Sequence, residues 1–337
     1  MSSSSILVLN AKSVSDILDK VSIEELIANQ RNVFKTYSQS SEAEWESPLR
    51  LACNTDYHTQ LFMPSRIGQS CGIKCVAVPN PKGPPGLPGT GLSFDPASGR
   101  ARALVDLTQL TAVRTAAGCL AASTIIQPSR KAPGGKLLVF GTGNQALWHA
   151  RLFVAYYGLA QADFVTIEAN SDAFKARVQS ALGDKVSVNI LQGGSDAVYE
   201  ALSQADFVSG CTPSTQALFD WSRTQLKNNV HFSLIGSYKP HMQEVPPQLI
   251  EHAASNAALY VDSVDACSHE AGDLLKSSAG KDQWKEVGKS VESGNKDDFA
   301  NVVSVFKSVG ISVQDVAVMD FVIDNATKAA SGERVEF

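Results

Sequence analysis

The chain has 337 residues, a formal net charge of −5, and 44% hydrophobic and 19% charged residues. That length suggests two domains with a core large enough to need no disulfide or metal staple. The acidic balance, with no long basic run, argues against a nucleic-acid partner. No apolar run approaches the roughly 18 residues a membrane span needs. Cysteines stand at 53, 71, 75, 119, 211 and 267 with no CxxC pair, so they read as reduced thiols of a cytoplasmic protein rather than metal ligands. Met1 to Leu9 lacks the basic and long apolar regions of a secretory signal.

In chain order, Ile6–Leu9 is a short apolar strand, and Ser13 to about Tyr37 has helical periodicity, with Ser22 and Glu25 spaced as a capping box inside it. Leu61–Met63, Gly72–Val78, Gly91–Phe94 and Ala101–Leu104 lean towards strand, and Asp95–Gly99 reads as a hairpin turn. The Pro- and Gly-rich stretch Pro79–Gly91 fits either a domain linker or a long ordered loop. Leu107 to about Gln127 is helical, and Pro128–Gly135 reads as a domain boundary. Beyond it, apolar runs at Lys136–Phe140, Phe164–Glu168, Ser187–Leu191, Phe207–Gly210, Val230–Ile235 and Ala258–Val261 alternate with helical segments. That alternation implies parallel βαβ units in a doubly wound α/β sheet of the Rossmann type. A last strand and helix fall at Val302–Phe306 and Ile311–Ala330.

The chemistry starts where Leu137-Leu138-Val139-Phe140 runs into Gly141-Thr142-Gly143-Asn144-Gln145-Ala146. The first glycine permits the tight turn, the second lets the backbone approach a pyrophosphate, and Ala146 lets helix and strand pack closely. The helix start then offers free N–H groups to phosphate. Glu168, at the end of the second expected strand, can accept from ribose hydroxyls and repel a 2′-phosphate, which favours NAD(H) over NADP(H). The expected cofactor-binding set is Thr115, Gly141, Thr142, Gly143, Asn144, Gln145, Glu168, Cys211, Thr212, Gly236 and Ser237.

Further segments carry a resemblance. They are Val113-Arg114-Thr115-Ala116-Ala117, Ile235-Gly236-Ser237-Tyr238-Lys239-Pro240 with Glu244-Val245-Pro246, Glu270-Ala271-Gly272-Asp273-Leu274, and Phe306-Lys307-Ser308-Val309-Gly310 with Gln314-Asp315. With the glycine motif, they resemble the ornithine cyclodeaminase/μ-crystallin family from about Pro48 to Ala326. The resemblance implies an NAD(P)-binding Rossmann domain at 129–310. It also implies an α+β substrate-binding and dimerisation domain made from 1–128 and 311–337, and a homodimer. It further implies that Arg50, Lys74 and Arg114 hold the carboxylate of a small imino or amino acid, Lys74 also exchanging protons with the imine.

Members that cyclise ornithine carry an acid where Tyr238 stands, and a second one where Leu61 stands. Both departures point away from ornithine cyclodeamination and leave Tyr238, with Lys74, as a catalytic candidate. His231, His241 and His269 are weaker candidates for a base, His241 the foremost. The resemblance therefore implies an NAD(P)H-dependent ketimine reductase, or an amino-acid dehydrogenase in reverse. The alternatives are a cyclodeaminase using bound NAD and a non-catalytic ligand-binding protein.

Overall fold

A computed structural model describes residues 5–41, 43–84, 86–167, 172–292, 299 and 302–336. The chain divides into one unit of Met1–Arg114 with Ile311–Phe337 and another of Thr115–Gly310. The division falls inside a helix, ahead of the Pro128–Gly135 stretch.

The first unit opens with β1 (Ser5–Leu9), α1 (Ala11–Leu18) and α2 (Ile23–Gln39). The single helix expected from Ser13 to Tyr37 is thus two. The break has a local cause: Ser22 Oγ accepts from Glu25 N at 3.2 Å while Glu25 Oε2 accepts from Ser22 N at 2.9 Å. A capping box starts a helix, so the preceding one must stop. Then come β2 (Trp45–Glu46), β3 (Leu51–Asn54), β4 (His58–Ile67), β5 (Ser70–Pro79), β6 (Gly89–Phe94) and β7 (Ala101–Asp106). They form a mixed sheet in the order β1-β7-β6-β5-β4-β2, with β3 also on β4. β5 and β6 pair directly from Cys71↔Phe94 to Val76↔Gly89, so the Pro79–Gly91 stretch begins in one strand and ends in its neighbour, and joins two strands of one sheet rather than two domains. The Asp95–Gly99 turn closes through Ser98 N donating to Asp95 Oδ1 at 2.7 Å. The helix α3 (Leu110–Ile126) follows and carries the division between Arg114 and Thr115.

The second unit contains β8 (Lys136–Phe140), α4 (Asn144–Tyr157), β9 (Gln161–Thr166), α5 (Asp172–Leu182), β10 (Ser187–Gln192), α6 (Asp196–Gln204) and β11 (Phe207–Gly210). It continues with β12 (His231–Leu234), α7 (Pro247–Ser255), β13 (Leu259–Val261), α8 (Val264–Glu270), α9 (Gly272–Leu275), β14 (Lys285–Glu286) and β15 (Ser304–Lys307). Eight strands run in the order β10-β9-β8-β11-β12-β15-β13-β14, and every pairing is parallel. Its central strands are buried, as the continuous apolar runs Leu137–Phe140 and Phe207–Val208 require of a sheet covered on both faces. This is a Rossmann-type α/β fold. The second strand ends at Thr166 rather than at Glu168, and Glu168 lies outside the described residues.

The chain then returns to the first unit. α10 (Ser312–Lys328) packs across β4, β5 and β6, and β16 (Glu333–Glu336) pairs antiparallel with β1 at the sheet edge. Two glycines make room for the helix. A Cβ at Gly72 would lie 2.7 Å from Met319 Cε, and one at Gly91 would collide with Met319 Sδ. No helix among the described residues is long and apolar enough to cross a membrane.

Candidate active site

In the parallel-sheet unit, β8 is flanked by β9 on one side and β11 on the other. The chain fills one side through β10 and then crosses back to β11. At such a reversal the loops leave the strand ends in opposite directions and open a crevice at their carboxyl ends. Gly141–Thr142–Gly143 and Cys211–Thr212 line that crevice. Gly141 has φ +117°, and a Cβ there would lie 2.9 Å from the Cys211 carbonyl oxygen. Gly143 is the N-cap of α4 and supplies no side-chain cap. The first N–H groups of α4 therefore have no side-chain acceptor from the N-cap and suit an anion. Ala146 is fully buried, where a larger side chain would hold α4 off the sheet. Gln145 and Thr142 are half-buried, Asn144 is exposed and Thr115 is buried. The residues present thus fit a dinucleotide.

Cys211 and His149 meet beside the glycine turn, Sγ to Nδ1 at 3.7 Å. Burial raises the Cys211 thiol well above its ordinary range and drops His149 to about 4. Both are neutral near pH 7, so this pair packs rather than attacks.

The loops after β11 and β12 are tied to one side chain. Glu244 Oε1 accepts from Thr212 N at 2.8 Å and Thr212 Oγ1 at 3.1 Å, while Oε2 accepts from Gly236 N at 2.6 Å and Ser237 N at 3.2 Å. Asp273 holds the Glu244 backbone in turn: its Oδ1 accepts from Glu244 N at 2.7 Å, and its own N–H donates to Ser237 Oγ at 3.0 Å. Lys307 Nζ lies 3.3 Å from Asp273 Oδ2, both side chains fully buried. Tyr238 is half-buried in the same segment, with Lys239 Nζ 5.8 Å from its ring centre. His231 is buried against Ser304, and His241 and His269 are exposed.

The mixed-sheet unit holds a second charged cluster. Lys74 on β5 and Arg114 on α3 are 3% and 7% exposed. Lys74 Nζ and Arg114 Nε both donate to Asp315 Oδ1, each at 2.9 Å. Arg114 Nη1 also reaches Gln314 Oε1 at 3.4 Å, and Gln314 Nε2 donates to Gln30 Oε1 at 2.9 Å. Asp315 Oδ2 is buried with no hydrogen-bond partner. Burial pushes Lys74 down to about 8; Asp315 opposes this, and the charges of Arg114 and Arg50 add to it. Burial alone would raise the Asp315 carboxyl, but Arg114 and Lys74 outweigh it and hold it below its ordinary range. Half-buried Arg50 is therefore close enough to act on Lys74.

Lys74 and Arg114 are expected from the sequence, whereas Asp315, Gln314, Glu244, Asp273 and Lys307 carry no expected role there. Each lies in a quoted segment, so the signal was there, but nothing local identified the partner. Among the described residues no cluster of His, Cys, Asp and Glu could hold a metal ion.

Comparison with known proteins agrees with this layout. The chain is 31% identical over 238 residues to the ketimine reductase mu-crystallin of Rattus norvegicus, covering 69% of this chain and 68% of that protein. It is 29% identical over 309 residues to a delta(1)-pyrroline-2-carboxylate reductase of Bacillus cereus, covering 86% and 89%. The Thermococcus litoralis delta(1)-pyrroline-2-carboxylate reductase, solved with NADH and L-proline, shares the fold. It has a TM-score of 0.81 at 20% identity, over 98% of this chain and 100% of that one. The model of the ornithine cyclodeaminase/mu-crystallin family matches residues 8–330, and the chain belongs to that family.

Proposed function

We propose that this protein is an NAD(H)-dependent reductase of small 2-imino acids, such as cyclic pyrroline- or piperideine-2-carboxylates, or the corresponding amino-acid dehydrogenase in reverse. The observation that carries this reading is the surplus of buried cation around Asp315. Two buried cations share one carboxylate oxygen, with Arg50 adding to the positive field. Buried charge needs a partner, and among the described residues Lys74 and Arg114 share the one carboxylate of Asp315, so a second carboxylate would balance the pair. A substrate carboxylate supplies it, gripped by the guanidinium of Arg114 and the ammonium of Lys74.

The nucleotide belongs to the parallel-sheet unit, on Gly141–Gln145, Cys211–Thr212, Gly236–Ser237 and Thr115. NAD(H) is preferred to NADP(H) on the acidic side chain of Glu168. When bound, NADH supplies the hydride that the imino carbon receives. The imino nitrogen then needs one proton. Lys74, poised at about 8, holds one to give near neutral pH. Tyr238 stands where ornithine-cyclising members carry an acid. A phenol near neutral pH does not take a proton from a δ-amine as a carboxylate does, which supports simple reduction over cyclodeamination. Assembly as a homodimer belongs to the same reading.

The assay is direct. Purified protein with NADH and a cyclic 2-imino carboxylate is expected to consume NADH in step with amino-acid formation. Intact NADH binding with no turnover on several such substrates rejects the reductase reading. Ammonia release from ornithine or lysine without change in NADH favours a cyclodeaminase.

A further inference from the structure

We propose that Glu244 is a positioning residue for the nucleotide: in its ionised form it clasps the loops after β11 and β12, so that nucleotide affinity rises with pH across neutrality. This rests on the reading of the parallel-sheet unit as the nucleotide domain.

The seat of the carboxylate is built from both strand ends. β11 and β12 pair in register up to Gly210↔Leu234, and the chain leaves them through Cys211–Thr212 and Ile235–Ser237. A Cβ at Gly210 would lie 2.9 Å from Glu244 Oε1, and one at Gly236 would overlap the same carboxylate. The acid therefore occupies space that both glycines leave open. Its two oxygens each accept from one loop, Oε1 from Thr212 and Oε2 from Gly236 and Ser237. Asp273 closes the ring by holding both the Glu244 backbone and Ser237 Oγ.

The groups facing Glu244 are Asp273 from α9, Lys307 from the end of β15 and Cys211 from the β11 loop. Burial pushes Glu244 up to about 7, Lys307 opposing and Asp273 adding to the shift. The closed clasp needs the ionised form, because three of its four partners, the N–H groups of Thr212, Gly236 and Ser237, can only donate. As pH falls through about 7 a proton enters, one oxygen becomes a hydroxyl that turns a donor towards donors, and a loop loses its acceptor. The clasp is complete above that range and lost below it.

The test uses the full chain and two readouts, NADH titration and amide hydrogen exchange corrected for intrinsic rates, at about pH 6 and about pH 8. In the wild type, NADH is expected to bind about 5–10-fold more weakly at the lower pH. The Thr212, Gly236 and Ser237 amides should exchange about tenfold faster there. Glu244→Gln keeps the volume without the charge, and should lie near the low-pH behaviour at both pH values. NADH binding and exchange that ignore both pH and the glutamine substitution overturn the clasp while leaving the nucleotide reading intact. No NADH binding at any pH overturns the nucleotide reading, and the role in affinity with it. If Glu244→Gln does not fold, the wild-type comparison between the two pH values decides alone.

Discussion

The two units bury their charge in opposite proportions. Around Asp315, among the described residues, Lys74 and Arg114 meet one acid. Around Lys307, the acids Glu244 and Asp273 outnumber the single cation. The acidic surplus has an internal remedy: backbone N–H groups of Thr212, Gly236 and Ser237 turn inward and satisfy Glu244. Around Asp315 the donors are side chains instead, Lys74 Nζ and Arg114 Nε sharing its Oδ1. The remedy reaches Glu244 but not Asp273, whose Oδ2 is buried without a hydrogen bond among the described residues and lies 3.3 Å from Lys307; the acid-rich cluster thus leans on its own cation, while the cation-rich one, on the proposed reading, takes up a carboxylate.

Four experiments can break or sharpen that contrast. The largest effect should come from Lys307→Met. It leaves Asp273 and Glu244 buried with no cation, and should cost about 3–5 kcal/mol of stability in a denaturant titration. A loss under about 1 kcal/mol would mean that the backbone donors alone carry the acids.

Arg114→Met should act in the opposite way. Lys74 and Asp315 then balance one to one, so stability should hold while kcat/KM for the imino acid falls about 1,000-fold. NADH affinity should be unchanged. Equal losses in stability and activity would make Arg114 a structural partner of Asp315.

A third test uses pH. Burial depresses Lys74 to about 8, and the proposed role needs its charged form, both to grip a carboxylate and to give a proton. Activity should therefore be full below that value and fall about tenfold per unit as pH rises above it. Asp315→Asn removes the charge that opposes burial, so the alkaline limb should move to lower pH and activity at about pH 7.5 should fall about 10–100-fold. An unmoved limb would assign it to another group.

The smallest effect should be that of Gly141→Ala. Its φ of +117° and the nearby Cys211 carbonyl oppose any side chain. The substitution should cost about 1–3 kcal/mol, read as a lowered Tm together with weaker NADH binding. Stability and affinity both unchanged would mean the turn can relax.

What could be read from the sequence follows the range of the interactions. Gly141–Ala146 was legible because a strand, a turn and a helix start lie within one short segment. So were seven of the eight parallel strands, whose apolar runs need no knowledge of their neighbours; the two-residue β14 carries no such run. The strands β2, β3 and β16 escaped because they are short edge strands; β3 and β16 are exposed along their whole length and carry no alternation. Ser22 and Glu25 have the spacing of a capping box, but apolar spacing continues on both sides of them and masks the break between α1 and α2. Lys74 and Arg114 were legible through family motifs. Their shared acid was not: Asp315 lies 241 residues from Lys74 along the chain. Glu244, 32 residues from Thr212, was likewise quoted as a motif residue without a task. Such pairings are decided by how strands and helices stack, and no local window contains them.

The Gly72–Gly91–Met319 notch has a consequence for synthesis. Met319 is one helical turn beyond Asp315, and Gly91 lies directly opposite Lys74 in the sheet. Seating the methionine therefore indexes α10 so that Asp315 arrives at Lys74. Because a chain emerges from the ribosome amino end first, β5 and β6 are made long before that helix. Until residues 312–328 have been translated and docked, Lys74 and Arg114 have no buried acid between them. The proposed carboxylate site is thus among the last features of the nascent chain to be assembled, and a product truncated ahead of α10 should be inert in the imine-reduction assay even if its parallel sheet has folded.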